Sequence, residues 1–343
     1  MLAQHGGLVM IHTGSNPLLK GVGIHKKYPV KKGWIDTKQS YVHALNGIDL
    51  SLDRGETLGL VGESGCGKST LGRILARLED DYEGKVLFGE TDVTSLKGEA
   101  LKAFRRNVQV VFQDPFSSLN PRMKVGNIIR EPLDIHKVGT PSERRERLNE
   151  LLHLVGLQAD YASRYPHEFS GGQRQRIGLA RALALNPELI VCDEPVSALD
   201  VSIQAQILNL FLDLQEKLGL TYLFISHDLH VVQFISDRVA VMYLGKIFEL
   251  APKENLYHSP LSPYTKALLA ASPLPDPEKK RPVLRLKGDM PDPINLPTGC
   301  LFHPRCPYKE KKCENAAPAL VEVAPGHYVR CFLHHDDVET ATV

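Results

Sequence analysis

The sequence predicts an α/β fold whose main sheet is buried on both faces. Three observations predict it. Short, continuous apolar runs occur at 58–61, 108–112, 189–192 and 222–225. Amphipathic stretches with helical spacing separate them, and a Gly-rich loop at 62–69 joins the first run to a helix.

In chain order, the first strand signal is Ile48, Leu50 and Leu52 alternating with Asp49, Ser51 and Asp53, closed by a turn at Arg54-Gly55. The strand Leu58-Gly59-Leu60-Val61 then leads into the Gly-rich loop and a helix over about 69–77. Further helices are predicted at 143–155, 172–185 and 202–218, and a hairpin around Gly245 joins 239–244 to 246–250. The helical insert 121–178 lies between strand signals and reads as a subdomain. From Ser272 onward Pro273, Pro275, Pro277 and Pro282 interrupt any regular element, so a boundary is expected near 272.

At 343 residues and roughly 150 per domain, about two domains are expected. Lys and Arg number 41 against 40 Asp and Glu, a net charge of +1 that offers no bulk basic field for nucleic acid. No apolar run approaches the roughly 20 residues that cross a bilayer. Met1 to Thr13 lacks the basic-then-apolar pattern of a secretory signal, so a soluble intracellular protein is expected, reaching any membrane through a partner.

Gly62-Glu63-Ser64-Gly65-Cys66-Gly67-Lys68-Ser69 fits the phosphate-loop pattern G-x-x-x-x-G-K-[ST]. Its glycines let successive backbone N–H groups curl around phosphate oxygens. Lys68 reaches the β- and γ-phosphates, the Ser69 hydroxyl is a ligand for Mg²⁺, and the following helix adds its positive end. Cys66 reads as a bystander within the loop. The strand 189–192 ends in Asp193-Glu194, where an Asp would hold Mg²⁺ and a Glu would orient or deprotonate an attacking water. Phe169-Ser170-Gly171-Gly172-Gln173 opens a helix rich in Arg and small residues, a second anion-binding surface. One nucleotide loop with two such surfaces suggests that the second serves another subunit.

Taken in order, Tyr41, the 62–69 loop, Gln113, Ser170-Gly171-Gly172-Gln173, Asp193-Glu194, Ser197-Ala198-Leu199-Asp200 and His227 resemble an ATP-binding-cassette ATPase over about residues 40–250. The resemblance implies a P-loop nucleotide-binding domain with a RecA-like core, an antiparallel β subdomain and a helical subdomain. It implies ATP and Mg²⁺, with two cassettes sandwiching two ATPs head to tail. Carried over by position, Tyr41 stacks on adenine, and Gly62 to Ser69 with Thr70 hold the phosphates. Ser69, Gln113 and Asp193 hold Mg²⁺, and Glu194, His227, Gln113 and Lys68 carry the catalysis. Ser170, Gly171, Gly172 and Gln173 grip the opposite subunit's γ-phosphate, and Asp200 signals across the dimer.

Gln113-Asp114-Pro115-Phe116-Ser117-Ser118-Leu119-Asn120-Pro121, Tyr165-Pro166-His167-Glu168 and Ser262-Pro263-Tyr264-Thr265 resemble the ATPases of dipeptide and oligopeptide importers. The Asp-Pro-Phe-Ser-Ser-Leu-Asn-Pro run at 114–121 and the Tyr-Pro-Val-Lys-Lys-Gly stretch at 28–33 favour the second ATPase of a two-ATPase system. That implies a heterodimer with a paralogous ATPase, docked on two permease subunits at the cytoplasmic face of the inner membrane and served indirectly by a periplasmic or lipoprotein solute-binding protein. Import of nickel, glutathione or another small solute stays open, as does a soluble cassette role outside transport. The expected organisation is a tail at 1–17, the ATPase at 18–271 with its helical subdomain at about 121–178, and an extension at 272–343.

Cys300, Cys306, Cys313 and Cys331 crowd into that extension. Zinc sites usually show closely spaced Cys pairs, which are missing. Four thiolates at wider spacing suit a [4Fe–4S] cluster, and the resemblance points the same way; zinc, or no metal, stays open. His303 and His327 read as surface residues.

Overall fold

The computed structural model describes residues 17–30, 40–114, 118–272 and 288–335. Residues 31–33 of the basic stretch, Pro115 to Ser117 of the motif after Gln113, and the prolines at 273–282 lie outside the described residues.

The chain runs β1 (Leu19–Val30), β2 (Ser40–Leu52), β3 (Thr57–Val61), α1 (Lys68–Leu75), β4 (Glu83–Phe88), β5 (Thr91–Asp92), α2 (Gly98–Asn107) and β6 (Val108–Val111). A helical run follows, α3 (Val125–Ile135), α4 (Pro141–Leu154) and α5 (Gly171–Leu183). Next come β7 (Leu189–Asp193), α6 (Val201–Leu218), β8 (Thr221–Ile225), α7 (Leu229–Ile235), β9 (Arg238–Tyr243) and β10 (Lys246–Pro252). The chain closes with α8 (Lys253–His258), α9 (Pro263–Ala271), α10 (Lys311–Asn315), β11 (Val321–Ala324) and β12 (His327–Val329).

Two sheets result. An antiparallel one has the order β2-β1-β4-β5, and the central one the order β11-β12-β10-β9-β3-β8-β7-β6. Strands β9, β3, β8, β7 and β6 are mutually parallel. Their side chains alternate between two cores, as the two-residue period of a strand requires. Leu58, Leu60, Val191, Leu223, Ile225, Ala240 and Met242 face the antiparallel sheet and α1. Val61, Ile190, Cys192, Tyr222, Phe224, Val239 and Val241 face the helical side. With both faces covered, polar alternation disappears, which is why these strands read as unbroken apolar runs.

The parallel register brings the C-terminal ends of β3, β7 and β8 to one edge, where ligands gather in open α/β sheets. Residues 301–335 are built into this body. Strand β12 pairs with β10, placing Glu249 opposite Val329 and Leu250 opposite Tyr328. Leu301 and Phe302 enter the helical-side core, with Phe302 edge-on to Tyr243 at 5.4 Å. The expectation of a surface His327 is corrected: its ring is buried, 2.8 Å from the carboxylate of fully buried Glu249. That carboxylate also accepts from the backbone N–H groups of Leu261 and Ser262. A buried carboxylate must be satisfied from every side, so His327 fills a structural demand that nothing in its local sequence announces.

Candidate functional site

Strand β3 ends at Val61 and the chain turns through the Gly-rich loop into α1. Gly67 caps that helix at φ 107°, and a Cβ there would lie 2.4 Å from the Ala44 carbonyl oxygen, so the turn requires glycine. Lys68 is 6% exposed. Its Nζ donates to the carbonyls of Gly62 at 2.7 Å and Glu63 at 3.1 Å and lies 3.8 Å from Cys66 Sγ. Cys66 is buried beneath the loop, and burial pushes its thiol pKa up. The Ser69 hydroxyl donates to Asp193 Oδ1 at 2.8 Å. Burial raises the Asp193 carboxyl above its ordinary range, against the pull of the Ser69 bond.

An open cavity of about 580 Å³ lies above this loop. Ser64, Gly65, Gly67, Lys68, Ser69 and Thr70 form its floor. Gln113, Glu194 and His227 form a second wall and are bonded to one another. Gln113 Nε2 donates to Glu194 Oε2 at 2.9 Å, and His227 Nδ1 lies 3.1 Å from Glu194 Oε1. The backbone holds Glu194 at φ 49°, a left-handed conformation that costs a non-glycine residue on the order of 1 kcal/mol or more and is found at sites the surroundings over-determine. Its N–H donates to the Ile225 carbonyl at 2.9 Å, tying the end of β7 to β8. His227 follows β8, and Asp228 caps α7 by accepting from His230 and Val231. The Ser69 and Asp193 oxygens already in contact, and the Gln113 amide oxygen on the facing wall, are hard donors of the kind that suit a Mg²⁺ ion.

The adenine-stacking expectation for Tyr41 is corrected. In the β1–β2 register Tyr28 stands opposite Val42, and Tyr41 opposite Pro29. Tyr28 and Val42 line the cavity, so Tyr41, one residue along β2, points to the other face of the sheet. Tyr28 is the aromatic at the cavity mouth, and finding it needs the strand register. Gly62 contributes a carbonyl to Lys68 rather than lining the cavity, and Glu63 turns its carboxylate away to Arg305.

Ser170, Gly171, Gly172, Gln173 and Asp200 are held elsewhere, and none of them lines this cavity. Ser170 and Gln173 form a reciprocal capping box at the start of α5. Gly172 lets α5 approach α6 closely, since a Cβ there would lie 2.4 Å from Ile203 Cγ2. Asp200 caps α6. Ser170, Gly171 and Asp200 are exposed.

The cysteines of the extension surround a second, small cavity of about 20 Å³, to which Cys300, Cys306, Cys313 and Cys331 all contribute. All four are free. The Cys300 N–H donates to the Cys313 carbonyl at 2.8 Å, and His303 Nδ1 lies 2.9 Å from the Cys300 carbonyl. Burial pushes the Cys300 thiol to about 11 and also raises Cys306 and Cys331. Among the described residues no three His, Cys, Asp or Glu side chains gather closely enough to hold a metal ion. The expected ligand set is therefore not drawn together here. Neutral thiols have no charge that pulls them onto one point, whereas a single zinc would hold each sulfur about 2.3 Å away.

The ABC transporter family matches residues 45–197, and the C-terminal region of oligopeptide/dipeptide transporters matches residues 248–313. The oligopeptide transport ATP-binding protein AppF of Bacillus subtilis is 55% identical over 328 residues, covering 95% of this chain and all of that protein. The dipeptide transport ATP-binding protein DppF of Haemophilus influenzae is 49% identical, covering 93% of this chain and 97% of its own. Among solved structures, the ATP-binding cassette MJ0796, in a dimeric post-hydrolysis state with ADP and Pi, superposes with a TM-score of 0.61 at 31% identity over 68% of this chain and 98% of that one.

The raised carboxyl of Asp193 has a measurable cost. As pH rises above the ordinary value of 3.8, the unfolded chain ionises first, and the folded chain loses stability until its own carboxyl has ionised. Asp193→Asn removes that loss. In urea denaturation its stability relative to the parent is expected to rise from about pH 4 and to level off once the folded-state carboxyl has ionised. A difference that does not change with pH contradicts the assignment.

Proposed function

The chain belongs to the ABC transporter family, and from that premise we propose that it is the ATP-hydrolysing subunit driving import of di- or oligopeptides across the cytoplasmic membrane. The observation that carries the chemistry is the bonded set Gln113–Glu194–His227 facing Lys68 and Ser69 across one cavity. The peptide substrate is supported by the family match of the extension and by the relatives' names. Among the described residues no helix is long and apolar enough to cross a membrane. We place the subunit at the inner face, docked on two permease subunits, with a solute-binding protein delivering peptide from outside.

In this reading the triphosphate enters the cavity and Lys68 turns from the loop carbonyls to the β- and γ-phosphates. Ser69, Asp193 and Gln113 would hold Mg²⁺, and the ion would supply charge neutralisation at the phosphate oxygens. Glu194 takes the proton of the attacking water, and His227 holds both the Glu194 carboxylate and the γ-phosphate. Gln113 is the messenger. Its amide, bonded to Glu194 and facing the cavity, would carry the state of the site to the helical insert that contacts the permease. The exposed Ser170-Gly171-Gly172 helix start of a paralogous partner covers the nucleotide, and this chain offers its own to the partner's site. Closure thus assembles both sites, and hydrolysis releases them. We take 18–271 as the ATPase unit, with 121–178 its permease-facing insert, and 272–343 as its extension.

Cys300, Cys306, Cys313 and Cys331 are further proposed as the ligands of a [4Fe–4S] cluster. What supports this is that all four line one small cavity, although they are not gathered around a single ion. Such a cluster supplies one-electron redox chemistry and a covalent tie across the extension.

Two measurements test these readings. In the complex reconstituted with its permease, Glu194→Gln is expected to lower ATP turnover by roughly 10²–10⁴-fold, the range of a lost general base, while nucleotide-dependent pairing persists. Unchanged turnover removes Glu194 from that role. Anaerobically purified protein is expected to show visible thiolate-to-iron absorption with about four irons per chain, and a colourless, iron-free preparation overturns the cluster.

A further inference from the structure

Glu63 places an acid inside a loop that must take a polyanion. Its carboxylate does not turn toward the cavity. Both of its oxygens accept from Arg305 Nη1, at 2.8 and 3.0 Å. Arg305 comes from the cysteine-bearing segment, 242 residues further along the chain, between Cys300 and Cys306. The Arg305 side chain is 9% exposed. It lies over the Tyr243 ring at 5.9 Å and donates to the Tyr243 hydroxyl at 3.5 Å. Tyr264 holds the backbone of the same loop residue, its hydroxyl accepting from the Glu63 N–H at 3.1 Å. Tyr243 and Tyr264 both pack on Phe302, at 5.4 and 5.3 Å. The extension also reaches the site at two other points. The His43 N–H donates to the Pro293 carbonyl at 3.0 Å, and Met290 lies against Gly65.

We propose that Arg305 is a positioning residue for the phosphate loop: it clamps the Glu63 carboxylate so that the loop presents backbone N–H groups, and not a negative charge, to a bound polyphosphate. Without the clamp the Glu63 side chain is an unpaired anion beside a triphosphate, and like charges at short range oppose binding. The shape of the loop between Cys300 and Cys306 thereby becomes a determinant of nucleotide affinity. The inference rests on the nucleotide reading above.

The test is Mg-ATP affinity of the full-length chain, measured by titration calorimetry alongside the thermal unfolding midpoint. Arg305→Met is expected to weaken Mg-ATP binding by about tenfold, the scale of a lost charge pair. Adding Glu63→Gln to Arg305→Met is expected to recover affinity to within about threefold of the parent, because the offending charge is then gone. Arg305→Lys, which keeps the cation, is expected to stay within about threefold. A purely structural role predicts the opposite pattern, in which Arg305→Met weakens binding and Glu63→Gln does not restore it. That result overturns the proposal, as does an Arg305→Met affinity equal to the parent's. A parent chain that fails to bind Mg-ATP sinks the nucleotide reading itself, and the inference with it.

Discussion

A buried ammonium organises this molecule. Lys68 is almost fully withdrawn from water, and the groups that meet its charge are two backbone carbonyls and a thiol. Carbonyl dipoles compensate a cation incompletely in a low-dielectric setting, so the site favours an anion strongly. Every neighbouring feature serves that preference. The Gly67 turn lets α1 begin directly at the lysine, and the positive helix end adds to its field. Ser69 is the next residue, and Asp193 ends β7, two strands from β3, both ready for a counter-cation. Glu63, the one acid in the loop, is turned aside and paired.

The central sheet makes the arrangement rigid. Strict alternation of side chains between two cores leaves no register freedom, because a one-residue slip would exchange the faces of an entire strand. The ends of β3, β7 and β8 therefore arrive together, bringing the phosphate loop, Asp193-Glu194 and His227 to one edge. The left-handed backbone at Glu194 is the local price of aiming its carboxylate across the cavity. The extension then continues the same sheet through β12 and returns to the loop through Arg305, so residues far apart in the chain share one mechanical unit.

Most of this framework was legible in the sequence, because the signals are short-range. The helix predicted at 202–218 spans Val201–Leu218, and the one at 143–155 spans Pro141–Leu154. The phosphate loop carried its own context of strand and helix. What could not be read depends on pairing between distant segments. Tyr41 and Tyr28 are both aromatics near a strand, and the β1–β2 register decides which faces the cavity. His327 looks like a surface residue until Glu249 is placed beneath it. Arg305 has no local mark at all, since its partner lies at the other end of the chain. The cysteines were legible as close in sequence, whereas the fold of the extension sets which cavity they line and how far apart they stand.

The central claim, that a buried cation in the phosphate loop captures a polyphosphate, is tested most directly by calorimetric titration of the chain and of Lys68→Ala with Mg-ATP. The account predicts a loss of about 30-fold or more in affinity for Lys68→Ala, the scale of removing one partner from a buried charge pair. Equal affinity of the two proteins would contradict it.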